Sequence, residues 1–263
     1  MTTVDQTLVD EAATVLLACE DACQDRHPLT DDWPQLNLDT AYLVQDETLA
    51  RRLARGERLV GVKLGLTSRA KQQRMGIDSP LTAWLTDAMV LPVGVPVPQD
   101  VLIHPRVEPE IVFVLGERLQ GPSITAARAL CAVENVYGGV EIIDSRYRDF
   151  RFTLPDVVAD NASSGRFVLG PVGRIPDQLD LSLEACLLEI DGTVVDTATG
   201  AAVQGHPAEA LALAANALGR RGKALEAGWL VLTGGMTDAV PVRPTTSVKV
   251  DFTHLGTISL KGQ

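Results

Sequence analysis

Apolar positions along this chain recur first at helical spacing and later at strand spacing. Between Val4 and Cys23 they fall at Leu8, Ala12, Val15, Leu16 and Cys19, a stripe that predicts a helix. Pro28 to Pro34 is a turn-rich connection. A second helix starts near Asn37 or Asp39, either of which can cap it, turns Tyr42, Leu49 and Leu53 inward, and ends at Gly56. Leu59 to Leu66 reads as a strand, after which Thr67 or Ser68 caps a short helix through Arg69, Lys71 and Met75. From Gly76 to Met89 the pattern is irregular, with Trp84 expected in the core. Pro92 to Pro98 then marks a boundary. It divides a helical and mixed N-terminal part, 1–92, from a strand-rich body, 93–263.

In that body the expected strands include Ile103, the run ending at Leu115, Val136 to Ile143, and Arg166 to Leu169. Ser123 or Thr125 starts an intervening helix through Val133. Leu181 to Ile190, Asp191-Gly192 and Thr193 to Val195 form a hairpin signal, because Asp-Gly suits a type I′ turn. Pro207 opens a helix to about Leu218, at a position where its missing N–H costs nothing. Trp229 to Thr233, Ser247 to Phe252 and Thr257 to Leu260 complete the strands. Many antiparallel-looking strands with few helices between them argue for an α+β fold and against a doubly wound parallel sheet.

The chemistry concentrates in Arg106-Val107-Glu108-Pro109-Glu110-Ile111-Val112-Phe113-Val114-Leu115. Strand alternation points Glu108 and Glu110 the same way. Burying two carboxylates unpaired costs several kcal/mol in order of magnitude, so a positive group is expected between them. Pro109 cannot donate to a ladder, which suggests an edge or a bulge. If Glu141 comes from a neighbouring strand, three carboxylates converge, and oxygen-only ligands suit Mg²⁺ or Mn²⁺. Glu-x-Glu also suits a solvated strand face, although its neighbours here are strongly apolar. Lys63, between Val62 and Leu64, either snorkels or reaches an anion. His206 suits a helix cap. The Gly-Gly turn within Thr233 to Thr237 could hold an anion on its backbone N–H groups.

Charge and composition exclude some partners. A net charge of −11 over 263 residues disfavours nucleic acid and anionic membranes. No run is long enough for a membrane span and no signal peptide opens the chain, so a cytoplasmic protein is expected. Cys19, Cys23, Cys131 and Cys186 fit no zinc spacing and read as reduced thiols. Neither Gly-x-Ser-x-Gly nor a dinucleotide fingerprint is present.

Several segments taken together resemble the decarboxylase/hydratase branch of the fumarylacetoacetate hydrolase superfamily, enzymes of the meta-cleavage pathway for aromatic compounds. They are Gly61 to Ser68, Pro105 to Ile111, Val140 to Tyr147, Asp156 to Ser164, Gly205-His206-Pro207 and Leu232 to Thr237. The resemblance spans nearly the whole chain. It implies a mixed β-roll with outer helices, with Mg²⁺ (or Mn²⁺) on Glu108, Glu110 and Glu141 and with Lys63 as the catalytic lysine. It further implies substrate contacts from Leu66, Thr67, Ser68, Asn161, Ser163 and Thr237. The expected ligand is a small 2-oxo dicarboxylate. A homo-oligomer is expected, with the pathway hydratase as a candidate partner.

Two reactions fit that branch, because both use a metal-polarised 2-keto group as an electron sink. One is decarboxylation of 2-oxohex-3-enedioate to 2-hydroxypenta-2,4-dienoate. The other is hydration of that dienol. A module that binds 2-oxo acids without catalysis is the alternative of a different class. Ile142 to Tyr147 with Phe150, Phe152 and Leu154, and Gly234 to Thr237 followed by Ala239 to Val242, resemble the decarboxylases. Ile77-Asp78-Ser79-Pro80 is followed by Leu81-Thr82, where hydratases carry an acid. Leu81, Trp84 and apolar residues near Ile142 are the expected walls for the departing carboxylate.

Overall fold

The structure is a computed structural model that describes residues 5–68, 72–73, 76–77 and 80–263. The expected short helix through Arg69, Lys71 and Met75, and Asp78-Ser79 of the Ile77 to Pro80 segment, lie outside the described residues.

Three N-terminal helices come first: α1 (Gln6–Asp21), the single turn α2 (Leu29–Asp32) and α3 (Leu38–Ala54). Asp5 and Asn37 cap the two long ones, accepting from Leu8 N at 3.3 Å and Thr40 N at 3.0 Å. Strands β1 (Leu59–Gly65), β2 (Leu81–Thr86), β3 (Arg106–Leu115), β4 (Val133–Ile143), β5 (Ser164–Arg174), β8 (Leu230–Leu232) and β9 (Val240–Pro241) build one sheet. Its order is β2-β1-β8-β3-β4-β5, with β9 also pairing β3, and of these strand pairings only β1–β8 is parallel. A second sheet runs β11-β10-β6-β7, from β6 (Ala185–Ile190), β7 (Thr193–Thr199), β10 (Ser247–Phe252) and β11 (Gly256–Lys261). Asp191 and Gly192 both have positive φ, 49° and 81°, as a type I′ turn requires.

Helices α4 (Ala126–Cys131) and α6 (Pro207–Arg220) pack on the larger core, while α5 (Leu154–Ala159) joins α1 and α3 in a smaller one. Thr125, not Ser123, caps α4. His206 caps α6 through Nδ1, which accepts from Ala208 N at 3.0 Å. The smaller core takes in Leu81 and Val157, so the helical layer reaches the site. No helix among the described residues is long and apolar enough to cross a membrane.

Four local expectations change. Leu81–Thr86 is a strand, buried at every position, so it shows no two-residue alternation to read. Ile103 is not in a strand. Its N–H and that of His104 donate instead to the Asp144 carboxylate, at 2.9 and 2.8 Å. Pro109 is at neither an edge nor a bulge. It pairs with Val140 in β4, and its other side faces the gap between β8 and β9, where Met236 N donates to Pro109 O at 2.9 Å. Finally, the large sheet is continuous across residue 92, since β1 and β2 belong to it.

Candidate metal centre and active-site cleft

The β3–β4 register sets Glu108 directly opposite Glu141, and Glu110 opposite Gly139. Alternation then brings Glu108, Glu110 and Glu141 onto one face, with a ligand oxygen of each within 4.8 Å of the others. The parallel pairing of β1 with β8 places Lys63 beside Leu232, and Leu232 pairs in turn with Val112 of β3. From there Lys63 Nζ comes within 3.1 Å of Glu141 Oε1, with both side chains buried. A buried cation thus stands beside the cluster, paired with Glu141. The ammonium engages one lone pair of Glu141 Oε1, and the oxygen's second lone pair is left for a cation.

The Gly234-Gly235 turn after β8 completes the cluster. Gly234 N donates to Glu110 Oε2 at 2.7 Å, so the backbone anion site expected here holds one of the protein's own carboxylates. At Gly235 a Cβ would stand 2.0 Å from Glu108 Oε2, a clearance only glycine provides. Burial, then the Glu141 and Glu108 charges, push the Glu110 carboxyl well above the usual carboxylate range, against the pull of Lys63 and the Gly234 N–H. Burial alone would depress the Lys63 ammonium, but Glu141, Glu108 and Glu110 outweigh it and hold its pKa above the ordinary value.

Glu110 Oε1 is buried without a hydrogen-bond partner, although such atoms are normally satisfied. An all-oxygen donor set with a free lone pair on a buried oxygen fits a hard divalent cation such as Mg²⁺ or Mn²⁺.

The cluster opens into a cleft of about 140 Å³. Lys63, Leu66, Thr67, Ser68, Glu108, Glu141 and Ser163 line it, and Leu81 forms part of its wall. Four other residues named for the site or its walls lie elsewhere. Asn161 does not line the cleft. Its side chain clamps β2, accepting from Trp84 N at 2.8 Å and donating to Trp84 O at 2.9 Å. Thr237 does not line it either. Its hydroxyl donates to Asp238 O at 3.1 Å, and Gly235 takes the wall position. Trp84 is a core residue stacked edge-on against Trp229. Ile142 faces away, because alternation turns its neighbour Ile143 toward the cleft together with Glu141.

Several wall residues escaped the sequence reading as site residues: Phe150, Phe152, Val157 and Ala162. Ala162 and Ser163 sit in a turn where Asn161, Ala162 and Ser163 all have positive φ, 49°, 49° and 58°. Three successive left-handed non-glycine residues persist only where their surroundings fix them. The fixing group is a buried pair, Arg146 and Asp160. The guanidinium bonds the Asp160 carboxylate and also donates to Ser164 O at 2.9 Å and Asp160 O at 2.6 Å. Arg146 is therefore an internal strut and not a surface residue.

A trio of carboxylates, Glu110 and Glu141 buried and Glu108 partly so, beside a buried lysine and opening on a small cleft, has the make-up of an enzyme centre. The chain belongs to the fumarylacetoacetate (FAA) hydrolase family, whose C-terminal domain matches residues 59–261. Among its relatives, 4-oxalocrotonate decarboxylase of Pseudomonas sp. (strain CF600) is 41% identical over 255 residues, covering 96% of this chain and 97% of that one. The 2-keto-4-pentenoate hydratase of Paraburkholderia xenovorans (strain LB400) is 39% identical, covering 95% and 93%. A solved structure of 4-oxalocrotonate decarboxylase from Pseudomonas putida G7, complexed with magnesium and adipate, superposes with a TM-score of 0.97 at 38% identity, covering all of both chains.

Proposed function

We propose that this enzyme decarboxylates 2-oxohex-3-enedioate (4-oxalocrotonate) to 2-hydroxypenta-2,4-dienoate and CO₂, with Mg²⁺ or Mn²⁺ held by Glu108, Glu110 and Glu141. Bound there, a divalent cation polarises the 2-keto group of a 2-oxo acid and makes it an electron sink. The electron pair of the C5–C6 bond moves through the conjugated C3–C4 bond to the 2-oxygen, and C6 leaves as CO₂. The 2-oxygen takes up one proton to give the dienol. Lys63, cationic and buried beside Glu141, balances charge growing on that oxygen and can supply the proton. Leu66, Thr67, Ser68 and Ser163 shape the cleft around the chain of the substrate.

The observation that carries the decarboxylase reading over the hydratase is Leu81. It is a buried apolar wall of the cleft, in the segment where hydratases carry an acid after the proline. With Ile143, Phe152 and Val157 it gives the departing carboxylate little solvation, which favours loss of its charge as neutral CO₂. The relatives of higher identity that are named decarboxylases support the same choice.

The test is to incubate the Mg²⁺-loaded enzyme separately with 2-oxohex-3-enedioate and with 2-hydroxypenta-2,4-dienoate, following ultraviolet spectra and CO₂. Release of CO₂ from the dioate with slow or no hydration of the dienol is expected. Rapid formation of 4-hydroxy-2-oxopentanoate without CO₂ release would make the enzyme a hydratase.

A further inference from the structure

The proposed reaction needs a distal carboxylate that its surroundings solvate poorly, and a cation stands close enough to break that condition. Alternation along β3 puts Arg106 on the same face as Glu108 and Glu110, two residues, or ~7 Å, beyond Glu108. Its cross-strand partner is Ile143, a cleft wall. Arg106 is half-buried, and no carboxylate of the described residues lies within ion-pair distance of it. Even so, Arg106 does not line the cleft. Phe150 does, and its ring centroid lies 4.0 Å from the Arg106 guanidinium carbon.

Phe150 is seated from several sides. The His104 ring packs against it at 4.8 Å between centroids. His104 is itself tied down by its backbone N–H, which donates to the Asp144 carboxylate at 2.8 Å. Phe150 N donates to Tyr147 O at 3.2 Å, and Tyr147 is fully buried. Asp149 and Phe150 both have a left-handed backbone, φ 56°, which persists only where the surroundings over-determine it. The strained turn delivers an aromatic ring to the place where a bare guanidinium would otherwise meet the cleft.

We propose that Phe150 insulates the cleft from Arg106. The ring keeps the guanidinium away from the distal carboxylate, and the cation in turn steadies the ring through its π face. The inference rests on the proposed decarboxylation. A cation–ring contact is weaker than a guanidinium–carboxylate fork, so bulk and not affinity keeps Arg106 out. A guanidinium that reached the distal carboxylate would stabilise the bound substrate and lose that contact as the charge moves away to the 2-oxygen. Such a contact lowers KM and kcat together and leaves kcat/KM almost unchanged. Phe150 thereby keeps binding energy from settling on the ground state.

Calorimetric titration of the Mg²⁺-loaded protein with adipate and with hexanoate tests this without relying on turnover. Phe150→Ala, which uncovers the guanidinium, should tighten adipate about tenfold to a hundredfold, the range for a gained charge-assisted bond, and leave hexanoate within about twofold. Phe150→Ala/Arg106→Gln should return adipate to within about threefold of wild type. In turnover of the dioate, Phe150→Ala should lower kcat and KM by similar factors, whereas loss of a wall that merely packs would lower kcat/KM. The inference is overturned if Phe150→Ala leaves adipate unchanged or weakens it, or if the tightening survives the loss of Arg106. Should Phe150→Ala not fold, Phe150→Leu gives the same readout. Arg106-dependent tightening in a protein that never releases CO₂ would keep the insulation and sink the decarboxylase reading. CO₂ release by the wild type with no tightening in Phe150→Ala would do the reverse.

Discussion

Replacing Lys63 with methionine tests whether the lysine is part of the centre's electrostatics or only of its packing. Methionine keeps most of the stem volume and deletes the ammonium 3.1 Å from Glu141 Oε1. Both partners are almost fully buried, with side chains 5% and 2% exposed, so solvent screens little of their attraction. Losing one member of such a pair strands the other, a loss of about 3–5 kcal/mol. For a chain of this size that corresponds to a drop in Tm of roughly 6–20 °C in metal-free buffer. The sign agrees with the raised pKa of Lys63. A lysine held above its ordinary value contributes stability that is present at neutral pH and lost only as pH climbs through the lysine range and beyond.

Metal reverses part of the loss. In the Lys63→Met variant the cation meets three carboxylates without the Lys63 ammonium to offset them, so Mg²⁺ should raise its Tm more than it raises that of wild type. Turnover should nonetheless fall about a hundredfold or more, the usual contribution of a positioned proton donor. Scanning calorimetry with and without Mg²⁺, beside steady-state assays, reads all three quantities. Near-normal turnover, or a metal-free Tm within about 2 °C of wild type, would refute the reasoning and leave Lys63 a strand lysine.

Gly235→Ala forces a methyl to within 2.0 Å of Glu108 Oε2, and the flexible carboxylate must swing aside. Mg²⁺ affinity by calorimetry should fall about tenfold to a hundredfold, as for lost outer-shell support, with little change in metal-free Tm; unchanged affinity would show that Glu108 is not held where the ion binds. Arg146→Leu leaves Asp160 buried and unpaired, at about 3–5 kcal/mol, and Arg146→Leu/Asp160→Leu should recover part of that loss in urea denaturation. A double variant less stable than the single would refute the pairing as the origin of the loss.

The sequence carried the carboxylate cluster well because its logic is local. Period-two alternation fixes Glu108 and Glu110 on one face, and only the β4 register had to be supplied by the fold. Lys63 was also legible as a candidate, but its place beside Glu141 depends on a parallel β1–β8 contact that no local pattern reveals. Turn and cap chemistry at Asn37, Asp191-Gly192 and Pro207 was equally legible. What failed was fully buried or fully tertiary. The strand Leu81–Thr86 has no polar face to mark its period. Asn161 carries groups that suit either a substrate or a backbone, and the Trp84 peptide claimed them. The burial of Arg146 depends on Asp160, which only the fold brings beside it.

The same contrast runs through the supports of the three carboxylates. Each carboxylate is held by a different kind of support. Glu110 is fixed by the Gly234 N–H, Glu141 by the Lys63 ammonium, and Glu108 is given room by the missing side chain at Gly235. The backbone donor and the glycine gap do not depend on ionisation, so the turn after β8 stays seated when Glu110 takes up a proton in metal-free protein. Of these three supports, only the Lys63–Glu141 contact is electrostatic at both ends, and it lies where burial makes charge most costly. The antiparallel strands β3 and β4 thus supply the donor atoms. The parallel pairing of β1 against β8 brings in the Lys63 ammonium, which offsets part of their charge.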